Sequence, residues 1–162
     1  MATSKTQSKT QLGKKIPKFS LPASDGESWS SAGAAGKKLV IYFYPRDNTP
    51  GCTQEGQAFR DQYAQFKKAG VEIVGVSADS VESHRKFKEK MKFPFELLAD
   101  EEKKACELFG VYKEKSLYGR KFLGIERSTF LVDETGVLRQ EWRKVKVNGH
   151  AAEVLAAAKA ID

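Results

Sequence analysis

Cys52 and Cys106 are the only thiols in this 162-residue chain, and His84 and His150 are its only imidazoles. Cys52 stands in the string Tyr44-Pro-Arg-Asp-Asn-Thr-Pro-Gly-Cys-Thr-Gln-Glu55, between an apolar run and an amphipathic one. The attacking species in thiol chemistry is the thiolate, which a helix N-terminus or a neighbouring arginine stabilises. Arg46 and Arg127 are the candidates for that neighbour. Thr49 places a hydroxyl three residues before the thiol, where it could meet an oxygen-bearing substrate, and Pro45 and Pro50 stiffen the loop. These residues spell an activated cysteine. Glu55 is either a first-turn acid that suits the helix dipole or a member of the site. Cys106, in Ala105-Cys-Glu-Leu-Phe109, reads as a small buried apolar residue or as a second redox thiol. His84 shares a helical face with Phe87 and Met91 and reads as a half-buried structural histidine, whereas His150 is assigned no role. Neither histidine has metal-site spacing to a cysteine, so no metal is expected.

An activated cysteine needs elements to hold it. The continuous apolar run over 38–45, rich in branched and aromatic residues, predicts a strand buried on both faces. Apolar residues then recur at helical spacing over 53–69, which places Cys52 at a strand-to-helix junction. In open α/β sheets that junction lines the ligand crevice. A second strand over 71–78 and a helix over 80–91, with Ser80 as N-cap, repeat the unit and imply parallel strands. A strand over 95–99 and a helix capped by Asp100 and ending near 109 follow. Strands over 129–133 and 137–142 predict an antiparallel hairpin, and 151–161 a closing amphipathic helix. Near the start, short strands over 19–21 and 27–29 flank the turn dipeptide Asp25-Gly26. The order fits an α/β domain with a mixed central sheet flanked by helices on both faces.

Composition narrows the classes. A chain of this length, 40% hydrophobic, is expected to build one domain with one sizeable core. The longest wholly apolar run, over 39–44, is far shorter than the ~20 residues of a membrane span. No membrane role is expected. The net charge is +7, but residues 1–18 carry five lysines and no acid, so the rest is close to neutral. No nucleic-acid surface is expected of such a body. The polar, aperiodic opening predicts a disordered basic tail over 1–15 ahead of a domain over 16–162. No apolar stretch follows the basic start, and two cysteines make no disulfide framework, so a reducing, cytoplasmic setting is expected.

The spacing Pro45-x-x-x-Thr49-x-x-Cys52 resembles the active-site loop of the peroxiredoxins, and YPRDNTPGCTQE resembles their Q-type branch, also known as the bacterioferritin comigratory protein branch. The segments VIYFYP, GVSADSVESHRKF, LLAD, FGVY and ERSTFLVDETG fall in the family's order, over about residues 15 to 160. The resemblance implies a thioredoxin-like fold and a thiol-dependent peroxidase of hydrogen peroxide and organic hydroperoxides. It assigns Cys52 as the peroxidatic cysteine, Pro45 and Thr49 as its loop, and Arg127 as the arginine on the thiolate. Glu55 matches an acid of the Q-type pattern. Attack by the thiolate on a peroxide oxygen would give a sulfenic acid, with Arg127, the Thr49 hydroxyl and helix N–H groups facing the leaving oxygen. Phe43 and Tyr44 would offer an apolar wall to organic peroxides. No cofactor is implied.

The chain departs from the branch at one place. Where Q-type enzymes often carry a resolving cysteine, five residues after the first, it has Gln57, and 80–91, the second usual place, has no cysteine. The first expectation is a one-cysteine enzyme, working as a monomer and recycled by an external thiol such as thioredoxin or glutaredoxin. The alternatives are a two-cysteine enzyme with Cys106 as resolving thiol, or a thioredoxin-like binding or holdase module. A C-x-x-C exchanger is excluded, because Thr53, Gln54 and Glu55 follow Cys52.

Overall fold

The computed structural model describes residues 8–161. A five-stranded sheet forms the centre. It contains β3 (Lys38–Phe43), β4 (Val71–Ser77), β5 (Glu96–Ala99), β8 (Ser128–Val132) and β9 (Leu138–Arg143), in the order β5-β4-β3-β8-β9. β3, β4 and β5 run parallel, and β8 and β9 are antiparallel to their neighbours. The sheet is therefore mixed, with β3 in its middle. Two small hairpins lie outside it, β1 (Ser20–Pro22) with β2 (Ser28–Ser30), and β6 (Tyr112–Leu117) with β7 (Arg120–Ile125).

The alternation of side chains along β3 divides the interior in two. Leu39, Ile41 and Phe43 face one core with Cys106, Phe109 and Phe130. Val40, Tyr42 and Tyr44 face the other with Cys52, Phe59 and Phe87. The helices α1 (Pro50–Asp61), α2 (Tyr63–Lys68), α3 (Val81–Met91) and α5 (His150–Ala160) contribute to this second core, and α4 (Lys104–Leu108) to the first. Helices thus cover both faces of the sheet, as expected.

Four local readings are corrected. The helix expected over 53–69 begins earlier, at Pro50, whose fixed φ suits a first helical position, and it breaks at Gln62 into α1 and α2. Asp100 does not cap α4: that helix starts at Lys104, and the Asp100 carboxylate instead accepts the backbone N–H of Cys106 at 2.8 Å. The β6/β7 hairpin was not anticipated, because its strands are Lys-rich and lack a clean alternation of apolar and polar residues. The stretch expected as a free tail is, over 8–15, paired to the body. Lys9 N–H donates to the Leu108 carbonyl at 2.8 Å, and Gly13 and Lys14 exchange backbone hydrogen bonds with Leu138 at 2.8 and 3.0 Å. The physical reason is that β9 is an edge strand, whose free backbone groups pair with an extended neighbour regardless of its hydrophobicity. Residues 1–7 of that expectation lie outside the described residues.

Candidate active site

β3 ends at Phe43, and residues 44–49 carry the chain from the carboxyl end of this central strand into α1. Thr49 occupies the N-cap of α1 with extended backbone (φ −100°, ψ 156°), Pro50 and Gly51 follow, and Cys52 lies in the first turn. Pro50 has no N–H and Thr49 makes no side-chain cap, so the N–H groups of Gly51 and Cys52 have no partner within the helix. Positive potential converges on the sulfur from the helix end. Cys52 itself is 2% exposed.

Arg127, between β7 and β8, closes the site from the opposite side. Its Nη2 donates to Cys52 Sγ at 3.5 Å and its Nη1 to Glu55 Oε1 at 2.7 Å. One guanidinium therefore bridges the thiol and the acid one helical turn away. Burial works against the charge on Arg127, but Glu55 and the Cys52 thiolate outweigh it and hold its pKa above the ordinary value. Glu55 is almost wholly buried and its Oε2 has no hydrogen-bond partner. Burial pushes its pKa up to about 7, although Arg127 pulls the other way.

Two glycines set the seat of α1. A Cβ at Gly51 would lie 3.0 Å from Arg127 Nη2, and one at Gly56 would lie 2.4 Å from Phe93 Cζ. Real Cβ atoms do not approach an aromatic ring as closely as 2.4 Å, so a side chain at Gly56 displaces the helix or Phe93, whereas one at Gly51 asks the Arg127 guanidinium to give by a few tenths of an ångström.

The structure brings together Cys52, Arg127 and Glu55, with Thr49 and Pro45 on the loop that leads into them. Thr49 needs one revision. Its hydroxyl donates to the Arg46 carbonyl at 2.9 Å, so it presents lone pairs and not a proton to the crevice. It is suited to accept the O–H of an incoming hydroperoxide, and not to stabilise the leaving oxygen. Arg46 is exposed and has no part in the site beyond that carbonyl. Phe43 points into the core on the far side of the sheet and cannot line the crevice. Tyr42, two residues earlier, takes its place beside Tyr44, ring centroids 5.5 Å apart. Burial raises the Tyr42 pKa well above the ordinary value, and the nearby Glu55 and Cys52 charges add to it.

Sequence reasoning missed the network that fixes the loop. Asp47 is a buried carboxylate that accepts from the Tyr44 hydroxyl at 2.6 Å and from Ser83 Oγ at 2.7 Å, and it meets His84 Nδ1 at 2.7 Å. His84 Nε2 lies 2.9 Å from the Leu98 carbonyl, an acceptor only, so Nε2 carries a hydrogen. One proton is then held between His84 Nδ1 and Asp47. Asp79 completes the group by accepting the Asp47 N–H at 2.8 Å and the Ser77 hydroxyl at 2.6 Å. Asp47, Asp79 and His84 lie close enough together to suggest a cation site. Their lone pairs are instead used on protein donors, which makes this a hydrogen-bonded strut between the Cys52 loop and α3. The signal in the sequence was the pair of polar residues Ser83 and His84 on the inner side of a helix opposite a loop aspartate. His150 also turns out buried, with Nε2 at 2.8 Å from Thr129 Oγ1 and a pKa lowered by burial to about 4.

Cys106 is fully buried in the other core, on the far side of the sheet from Cys52. Burial and then Asp100 raise its pKa far above the ordinary thiol range, so it stays protonated. A disulfide requires Cα atoms within about 7 Å and side chains directed at each other, whereas Cys52 and Cys106 point into cores on opposite faces of the sheet. The sheet stands between the two thiols.

The chain is similar over most of its length to known proteins. The AhpC/TSA family profile matches residues 12–141. The Peroxiredoxin Bcp of Bacillus subtilis is 50% identical over 145 residues, covering 90% of this chain and 92% of its own. The Peroxiredoxin Bcp of Xanthomonas campestris is 53% identical over 144 residues, 88% and 90% of the two chains. A solved structure of the Xanthomonas campestris bacterioferritin comigratory protein, from work on its alkyl peroxide reduction activity, superposes with a TM-score of 0.84 at 51% identity, covering 88% of this chain and 90% of that one.

Proposed function

The chain belongs to the AhpC/TSA family and is a peroxiredoxin, a thiol-dependent peroxidase with a thioredoxin-like fold, and from that premise we propose that it runs a one-cysteine cycle on Cys52. The observation that carries this reading is the separation of the two thiols by the central sheet. Gln57 and the helix over 81–91 supply no nearer partner.

In the proposed first step the Cys52 thiolate attacks the distal oxygen of a hydroperoxide. An S–O bond forms as the O–O bond breaks, sulfur gives up two electrons, and the leaving alkoxide takes a proton to become an alcohol. Thr49 accepts the peroxide O–H and orients it, while Arg127 and the Gly51 and Cys52 N–H groups face the charge that develops. Pro45 and the Asp47–His84 strut hold the loop. Glu55 keeps Arg127 in place. The buried Tyr42 and Tyr44 favour alkyl hydroperoxides, the class that the Xanthomonas campestris relative is described as reducing. An external thiol then displaces water from the sulfenic acid, and a second thiol releases reduced Cys52 and a disulfide of the reductant. Two unpaired thiols and dependence on a reductant suit a cytoplasmic, reducing compartment, and the site is complete within one chain, which supports a monomeric working unit.

The test is intact mass after one equivalent of peroxide, alongside peroxide-dependent thiol consumption by Cys52→Ser. The expected results are a gain of one oxygen in the wild type and no turnover in the variant. A loss of two hydrogens would establish a Cys52–Cys106 disulfide and overturn the one-cysteine cycle.

A further inference from the structure

The β6/β7 hairpin carries Leu117, Tyr118, Phe122 and Leu123, four of the five exposed large apolar side chains among the described residues. Such clustering on a folded domain marks a contact surface, since scattered apolar residues do not gather on one element. The register pairs Lys115 with Phe122 and Leu117 with Arg120, so these four share one face of the ribbon. That face alternates cations with apolar groups. Over the whole hairpin Lys113, Lys115, Arg120 and Lys121 are opposed by a single carboxylate, Glu114. At the tip Tyr118 adopts a left-handed backbone (φ 53°) while 93% exposed, next to Gly119 (φ 78°). Positive φ at both positions is what a two-residue hairpin turn requires, so the turn holds the Tyr118 ring out in solvent at the end of the ribbon.

The base of the hairpin leads directly into the site. β7 ends at Ile125 and the chain reaches Arg127 two residues later. Lys113 Nζ reaches back to Glu126 at 3.5 Å. Lys115 is near enough to the site that Arg127 and the Cys52 thiolate both act on its charge, although burial is the larger influence.

We propose that this hairpin is the docking surface for the reductant, a thiol protein that presents an acidic rim around an apolar patch beside its sulfur. The proposal rests on the one-cysteine reading, in which the reducing thiol must come from outside. Cys52 is 2% exposed, so a protein that delivers sulfur to it must press on whatever projects beside Arg127. The hairpin starts from its base beside Arg127 and extends outward to the exposed tip at Tyr118, and its cations and apolar side chains complement that partner. Steering by such a surface is salt-dependent, whereas apolar anchors act mainly on dissociation.

The experiment uses the full chain, thioredoxin as the probe protein and dithiothreitol as the small thiol. In Leu117→Ser/Tyr118→Ser/Phe122→Ser, kcat/KM for thioredoxin is expected to fall at least tenfold, mainly through KM. Formation of the sulfenic acid without reductant, and turnover on dithiothreitol, are expected to stay within twofold of wild type. Arg120→Glu/Lys121→Glu is expected to lower kcat/KM for thioredoxin similarly and to remove its salt dependence. An equal fall with both thiols, unchanged thioredoxin kinetics, or no thioredoxin turnover in the wild type would overturn the proposal. So would loss in the triple variant of a wild-type dimer, or of binding to phosphatidylglycerol vesicles, with thioredoxin kinetics unchanged. A disulfide in the mass experiment above would instead defeat the one-cysteine cycle, independently of how the hairpin variants behave.

Discussion

Glu55→Gln separates the electrostatics of the site from its shape. The wild-type carboxyl ionises near pH 4.5 when unfolded and near 7 when folded, because burial outweighs the pull of Arg127. Between those values the folded state holds a proton that the unfolded state has released, so folding stability falls as pH rises. The gap of about 2.5 units, at about 1.4 kcal/mol per unit, makes the loss about 3 kcal/mol at pH 8. Glutamine has nearly the same shape and no charge. The variant should therefore match the wild type within about 1 kcal/mol at pH 4.5 and exceed it by about 3 kcal/mol at pH 8. In thermal melts of reduced protein that gain corresponds to roughly 6–12 °C for a chain of this size. His150 works with the opposite sign, since its folded pKa lies below the ordinary value and its contribution is lost on acidification. The difference between variant and wild type cancels it. A gap between the two proteins that is the same at pH 4.5 and pH 8 would refute the assignment of Glu55 as a buried acid titrating near neutrality.

Arg127→Lys keeps a charge but gives up the fork that spans Glu55 and Cys52, and stopped-flow measurement of the peroxide step should show a fall of about 10²-fold or more; a near wild-type rate would remove Arg127 from the chemistry. Alkylation of the native reduced protein should label Cys52 and spare Cys106, while Cys106→Ala keeps turnover on an external thiol within twofold and loses roughly 1 kcal/mol of stability in urea melts. His84→Gln strands the buried Asp47 carboxylate and should lower stability by about 2–4 kcal/mol, with the Asp47→Asn/His84→Gln double variant losing less than the two single losses together. Additive losses would mean that the two side chains do not act as a unit.

The elements nearest the chemistry were the most legible in the sequence. β3, β4 and β8 are apolar and short, bounded by glycine, proline or charge, and the loop between β3 and α1 carries its own spacing signal in Pro45, Thr49 and Cys52. Ser80 declared the start of α3 and its hydroxyl does accept the Ser83 N–H, at 3.1 Å. What the sequence hid depends on the third dimension. The face on which Phe43 falls is decided by the phase of the pleat, which an unbroken apolar run conceals. Asp47 and His84 are 37 residues apart, and only packing of α3 over the loop joins them. The β6/β7 hairpin and the pairing of residues 8–15 are made by backbone hydrogen bonds, to which side-chain periodicity is blind.

Gly51 and Gly56 give the site an unusual form of vulnerability. α1 packs against Phe93 and the Arg127 guanidinium with no room for a methyl group at Gly56 and little at Gly51. A drifting lineage could keep Pro45, Thr49, Cys52, Glu55 and Arg127 unaltered and still lose the geometry through an alanine at Gly56, or have the guanidinium nudged off the sulfur by one at Gly51. A check on whether a related sequence retains this site should therefore begin with the two positions that contribute no side chain at all.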